Sequence, residues 1–285
     1  PLSACTTLDP RLFELVAPLS GITTATDKRS HSLYIIQVRE MARSGKLQVG
    51  TSGWNYEHWR RAFYDPTITQ EQWLEYYSHR FSTVEINNSF YQLPQRRTLQ
   101  QWKRTVDEDF TFAVKESRYI THMKKLQESE SAARKFLKRV DLLNGHVGPI
   151  LFQLPPNWRC NTRRLEEFLE SLPNDHRYAF EFRDESWWCD EVYECLRRHD
   201  AAFCIFDLKG ETSPKELTAD YVYVRLHGPS EEAYQGRYGA RRLSGWAGAL
   251  SSWLSKGHDV YCYFDNDQNG YAPQDAMRLQ HMLAD

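Results

Sequence analysis

A chain of 285 residues, 41% hydrophobic and 26% charged, has the composition of an ordinary globular protein and is long enough for one large α/β domain. Its net charge of -2 gives no basic footprint for generic binding to nucleic acid or to an anionic membrane surface. No run of about 18 apolar residues occurs, so no transmembrane helix is expected, and the six cysteines include no C-x-x-C pair and no zinc spacing. With no secretory signal visible, a reducing cytoplasm is the expected location. Cys204 and Cys262 lie in apolar runs and read as small buried hydrophobes.

Residues 1–40 differ from the rest, with no clear period and small polar residues mixed with two short apolar patches. They are expected to be an extension outside the folded domain, with Met41 a natural start and residues 41–285 a single domain. From Leu47 the pattern becomes regular. Leu47–Ser52 reads as a first strand that ends in a Gly53-Trp54 turn. Gln70–Arg80 has Trp73, Leu74 and Tyr77 at helical spacing, with Thr69 as N-cap. Thr83–Asn87 is the second strand, and a helix follows around Thr98–Thr105. Phe110–Lys115 is the third strand, and Glu130–Asn144 a helix closed by Gly145. Gly148–Leu154 is the fourth strand, stopped by Pro155-Pro156, with a helix from about Arg163 to Leu172.

The fifth strand opens the stretch Arg177 to Trp188, and Asp190–His199 is its helix. Ala202–Asp207 and Tyr221–His227 are the sixth and seventh strands, and the Lys209–Ala219 segment between them is too short for a full crossover helix. Leu243–Lys256 is helical, Val260–Asp265 is the eighth strand, and Gln274–Leu283 the last helix. Eight strands alternating with mostly helical crossovers predict a TIM-like (β/α)8 barrel, irregular between its sixth and seventh strands. An open doubly wound sheet is the alternative, but no Gly-rich phosphate turn follows the first strand.

Alternate residues of a strand face opposite ways, and on one parity nearly every strand becomes polar at its C-terminal end. The second strand offers Glu85 and Asn87, the third Lys115, the fourth Gln153, and the fifth Glu181 and Arg183. The sixth ends in Asp207, the seventh carries Tyr223, Arg225 and His227, and the eighth Asp265 followed by Asn266. Active sites of such barrels lie at that face, so these tips predict a shared polar pocket. Glu85, Glu181, Asp207 and His227 are the candidates for proton transfer, and Lys115 for an electrophile or an imine-forming nucleophile. A fixed salt bridge from Lys115 to Glu85 or Glu181 is an equal reading.

Arg183 and Arg225 suit a phosphate or carboxylate, while Trp54, Tyr56, Tyr91 and Trp187 offer rings from loops on the same side. Asn87, Gln153 and Asn266 complete the expected binding set. No cofactor is expected. Glu, Asp and His at strand tips also bind divalent cations, although the neighbouring Lys and Arg oppose a multi-metal cluster.

Seven motifs occur in order: Gly50-Thr51-Ser52-Gly53-Trp54-x-Tyr56, Glu85-x-Asn87-x-x-Phe90-Tyr91, Phe112-x-x-Lys115, Leu151-Phe152-Gln153-Leu154-Pro155, Glu181-Phe182-Arg183-x-x-Ser186-Trp187, Val224-Arg225-x-His227-Gly228 and Tyr263-Phe264-Asp265-Asn266-Asp267. Together they resemble the YecE-like family, a widespread bacterial and archaeal group classed as a domain of unknown function. The resemblance runs from about Leu47 to the C-terminus and implies a TIM-like barrel, but no established reaction. Asp265 stands where the family pattern leads one to expect Asn. The expectation that follows is an enzyme acting on a phosphorylated or carboxylated small molecule. A nucleic-acid-processing or nucleotide-binding protein and a non-catalytic ligand-sensing module are the alternatives.

Overall fold

Short strands, each with one bulky apolar face and one face of small or polar residues, form the centre of the fold. The structure is a computed structural model that describes residues 44–284, so the expected extension at 1–40 lies outside the described residues. The strands are β1 (Leu47–Thr51), β2 (Thr83–Ile86), β3 (Thr111–Lys115), β4 (Val147–Gln153), β5 (Tyr178–Glu181), β6 (Ala202–Leu208), β7 (Tyr221–Leu226) and β8 (Asp259–Phe264). They pair in parallel in the order β1-β8-β7-β6-β5-β4-β3-β2. A parallel bridge between Ser52 and Glu85 joins the two ends of the sheet. The result is a TIM-like barrel.

The seam depends on two glycines. A Cβ on Gly50 would stand 2.2 Å from the carbonyl oxygen of Thr83, so only glycine lets β1 approach β2 this closely. Gly53 has φ +87°, a left-handed turn that brings its N–H to the Glu85 carbonyl at 2.8 Å.

Outside the strands run α1 (Trp73–Ser78), α2 (Arg96–Thr105), α3 (Glu130–Val140), α4 (Thr162–Ser171), α5 (Asp190–Arg198), α6 (Ala240–Ser255) and α7 (Tyr271–Ala284). Their apolar faces pack on the outward strand residues, among them Phe152, Phe180 and Phe182, and this layer holds most of the buried hydrophobic residues. The irregular sixth connection has no helix. The chain turns back instead, and Glu211–Thr212 pairs antiparallel with the end of β6.

Two helix ends differ from the pattern reading. The α1 region opens with a 3-10 turn over Gln70–Gln72, where Thr69 N–H donates to the Gln72 side chain at 2.9 Å. α3 stops at Val140 and tightens into a 3-10 segment, Asp141–His146, in which Asn144 rather than Gly145 takes the left-handed conformation, at φ 52°. Asn is among the non-glycine residues that adopt positive φ most readily.

The barrel interior is asymmetric. Tyr221, Tyr223, Tyr261 and Tyr263 project from β7 and β8, and Ala113, Leu151, Ala179, Ala202 and Cys204 line the facing strands. Small residues opposite large ones keep the interior filled without voids. A buried phenol costs free energy unless its oxygen is hydrogen-bonded, and all four are. Tyr221 donates to Tyr178 O at 2.7 Å, Tyr223 to Glu85 Oε2 at 2.7 Å, Tyr263 meets Thr83 Oγ1 at 2.8 Å, and Tyr261 accepts from Arg177 at 3.0 Å. None of the described helices is long and apolar enough to cross a membrane.

Candidate functional site

At the C-terminal end of the barrel the inward parity gives way to charge, and Arg225 of β7 is the centre of it. Its side chain is 1% exposed, and each of its three nitrogens donates. Nε and Nη2 grip the Glu85 carboxylate at 3.0 and 2.8 Å, and Nη1 reaches Glu181 Oε2 at 2.7 Å. Nη2 also donates to Asp265 Oδ2 at 3.0 Å and Ser52 Oγ at 3.2 Å. Three carboxylates from β2, β5 and the tip of β8 therefore converge on one guanidinium, a planar cation suited to such bidentate pairing. Burial disfavours the charged form, but Glu85, Glu181 and Asp265 outweigh that and hold it charged. Ser52 donates to Glu85 and accepts from Asn87 Nδ2 at 2.8 Å, which ties both tips of the seam into the same network.

His227 extends the network. Its Nδ1 lies 3.0 Å from Asp265 Oδ2, and its Nε2 lies 3.1 Å from Arg183 Nη2 and 3.4 Å from Arg225 Nη1. Arginine only donates, so a neutral ring accepts at Nε2 and donates from Nδ1 to Asp265, with Glu181 Oε1 a further 3.7 Å neighbour of Nε2. The arrangement is a carboxylate-oriented histidine. Arg183 also donates through Nε to Glu181 and lies over the Phe206 ring at 5.1 Å. Burial would raise the Glu181 carboxyl, but Arg183 and then Arg225 hold it well below the ordinary carboxylate range. Asp265 is held low in the same way, with Arg225 and His227 opposing its burial.

Lys115 is treated differently. It is 8% exposed, and among the described residues its ammonium makes no ion pair and no hydrogen bond. Its nearest specific contact is the face of Phe90, 4.4 Å from Nζ to the ring centroid. Burial first, and then the Arg225 charge, push it down to about 8, against the pull of Glu181, Glu85 and Asp265. Phe90 is held in turn by an edge contact to His122 at 5.1 Å. His122 is pushed down to about 4 by partial burial, Lys115, Arg118 and Arg183. Gln153, in register with Glu181, is half-buried on the neighbouring strand.

The structure thus brings together Glu85, Asn87, Lys115, Gln153, Glu181, Arg183, Arg225 and His227. It does not bring in Asp207. The inward residues of β6 are Ala202 and Cys204, so Asp207 has the opposite parity, faces the helix layer, and is gripped by Arg242 of α6, with Nε 2.9 Å from Oδ2. Trp54 and Trp187 also lie elsewhere. Trp54 packs edge-on against Trp102 at 4.8 Å, and Trp187 is fully buried, with Nε1 donating to Trp158 O at 2.6 Å. Tyr56 is half-buried, and its hydroxyl donates to Ser52 O at 2.8 Å. Asn266 clasps a loop, with Nδ2 donating to Gly236 O at 2.8 Å and Asp275 at 2.9 Å. Tyr91, by contrast, is 77% exposed.

Parity alone did not single out Ser52 as a member of the network. Its place at the tip of β1, opposite Glu85, is the signal that could have found it. Among the described residues no group of three or more His, Cys, Asp or Glu side chains is placed to hold a metal ion. Where the carboxylates converge, Arg225 stands between them.

A family model described as "Protein of unknown function DUF72" matches residues 48–285. The chain belongs to the DUF72 family. It is 25% identical over 269 residues to the UPF0759 protein YunF of Bacillus subtilis, covering 83% of this chain and 94% of that one. With the UPF0759 protein YecE of Escherichia coli it shares 30% identity over 138 residues, 48% of each chain. A solved DUF72 family protein of Thermotoga maritima superposes with a TM-score of 0.77 at 29% identity, over 84% of this chain and all of that one. A second, from Enterococcus faecalis, gives 0.73 at 18% identity over 84% of this chain and 95% of that one, and so speaks for the fold alone. The seven sequence motifs named above all fall within the matched residues, on the strands and the loops that follow them.

Proposed function

We propose that the barrel mouth binds a small molecule bearing a phosphate or carboxylate, and that the protein is an enzyme acting on it. The observation that carries this reading is the unpaired Lys115 ammonium. Every carboxylate of the ring, Glu85, Glu181 and Asp265, is already held by Arg225 or Arg183. A cation held largely out of water without a hydrogen-bonded partner is costly, and an incoming anion supplies that partner. Arg183, paired through Nε and Nη2, adds a second cationic edge. His227, oriented by Asp265, is the group for proton movement, and its Nε2 becomes available when a bound anion draws Arg183 toward itself.

A second reading, a nucleotide or nucleic-acid ligand, is favoured by the exposed rings. Tyr91, Tyr119 and Tyr234, 77%, 43% and 43% exposed, all sit on loops after C-terminal strand tips, where bases stack readily. A cytoplasmic location is part of the proposal, supported by five free cysteines among the described residues.

Calorimetric titration with inorganic phosphate, pyruvate and adenosine monophosphate tests the reading. Lys115→Met and Arg183→Ala are each expected to weaken binding by about 10- to 100-fold, the loss of one charge-assisted hydrogen bond, with the fold retained. Equal affinity in wild type and both variants would overturn it. Tighter binding of the nucleotide than of the other two would favour the second reading.

A further inference from the structure

We propose that Lys115 forms an imine with the carbonyl carbon of a small oxo compound that also carries a carboxylate or phosphate, with Arg183 holding the anionic group. This rests on the anion-binding reading above and adds the reaction to it.

Lys115 is the lysine among the cations of the mouth, and lysine differs from arginine in that it readily gives up its proton. Its surroundings favour that loss. The side chain is 8% exposed and has the Phe90 ring rather than a carboxylate against its Nζ. Arg225, saturated by its own carboxylates, adds like charge nearby. A lysine ion-paired to Glu85 or Glu181 would be fixed as an ammonium, and that pairing is absent here among the described residues. Its backbone is fixed too, since Ser89 Oγ donates to Lys115 O at 2.6 Å at the very tip of β3. A desolvated amine at the C-terminal end of a barrel strand, next to other cationic groups, is the arrangement that activates a lysine as a nucleophile.

The neutral amine attacks the carbonyl carbon, forming the N–C bond while the C=O π pair moves to oxygen. That oxygen takes up a proton as the nitrogen loses one. The C–O bond then breaks, oxygen leaves as water with a second proton, and the nitrogen lone pair forms the C=N⁺ bond. Starting from the ammonium, the net change is the loss of one water, and no oxidant or reductant is required. The iminium keeps a positive charge at Nζ, within the field of Glu181, Glu85 and Asp265, the groups that pull on the ammonium.

Reductive trapping tests this. The full chain is incubated with pyridoxal 5′-phosphate, glyceraldehyde 3-phosphate or pyruvate, reduced with sodium borohydride, and mapped by peptide mass spectrometry. The expected result is a stable adduct at Lys115 that forms at least ~10-fold faster than at the exposed Lys46 or Lys256. Inorganic phosphate should compete with it, and pyridoxal without its phosphate should label Lys115 more slowly. Labelling should rise with pH about a midpoint near 8, the value to which Lys115 is pushed. Lys115→Arg should abolish the adduct, since a guanidinium keeps its proton and forms no imine.

The wild-type mapping decides the matter even if the variant does not fold. Labelling of Lys115 no faster than of Lys46 and Lys256 in phosphate-free buffer, when a separate titration shows that phosphate binds, would overturn the imine and leave the anion site standing. Failure to bind any of these anions would overturn both.

Discussion

The two halves of the barrel mouth are built on opposite rules. Across β5, β7, β8, β1 and β2 the charged groups are matched, Arg225 by Glu85, Glu181 and Asp265 and Arg183 by Glu181, and the His227 ring bonds to Asp265 and Arg183. Across β3 and β4 the polar groups are Lys115 and Gln153, and the ammonium has only an aromatic face beside it. A fully satisfied buried network is rigid, whereas an unmatched buried charge is costly to keep. The difference separates the half that holds the mouth in shape from the half that the proposal assigns to a ligand.

Removing Arg225 breaks the saturated half most severely. Arg225→Met strips Glu85 of its guanidinium partner and leaves Glu181 to Arg183 and Asp265 to His227, and is expected to lower stability by about 3–5 kcal/mol, read from urea unfolding. A loss below about 1 kcal/mol would show that water reaches these carboxylates and that the half is not closed.

The unmatched half should respond in the other direction. Lys115→Met removes an unpaired buried ammonium and is expected to stabilise the protein at pH 7 by about 1–3 kcal/mol, even as anion binding falls. The sign follows from the downward shift. A lysine pushed from 10.5 to about 8 opposes folding most fully below pH 8, and ceases to do so as the pH rises through 8 and past 10.5. The advantage of Lys115→Met should therefore shrink over that window. A stability difference that is flat with pH would mean that Lys115 is solvated or paired in solution.

Asp207 supplies the control outside both halves. Asp207→Asn weakens the contacts to Arg242, Trp246 and Tyr238 on the helix side, the Arg242 side chain being 32% exposed, so a loss of about 1 kcal/mol and unchanged phosphate binding are expected. A change in binding would place the β6 tip back in the mouth.

Strand parity made most of this visible in the chain. Glu85, Lys115, Glu181, Arg225 and His227 were legible because each follows, two residues on, an inward residue whose outward neighbours are bulky and apolar. β6 was the exception for a physical reason. Its inward positions, Ala202 and Cys204, are small because tyrosines cross the barrel toward them, so its outward Ile205 looked like the lining and Asp207 like the tip. Loop rings were not legible for another reason. Whether Trp54 or Trp187 reaches a ligand or tucks under its own loop depends on long-range packing against Trp102 and Trp158, which no local pattern encodes. Nor could charge alone tell that Arg225 is fully occupied while Lys115 is not, because that depends on which carboxylate each strand twist brings near.

The bridge between Ser52 and Glu85 has a consequence for how the molecule assembles. β1 and β2 are neighbours in the chain, yet the contact that joins them is completed by Arg225, 140 residues beyond Glu85. Closing so long a loop carries an entropic cost that must be met before the contact rewards it. The same guanidinium that organises the mouth therefore also ties the seam to the seventh strand, so the side-chain network across β1 and β2 is long-range in sequence although the two strands are not.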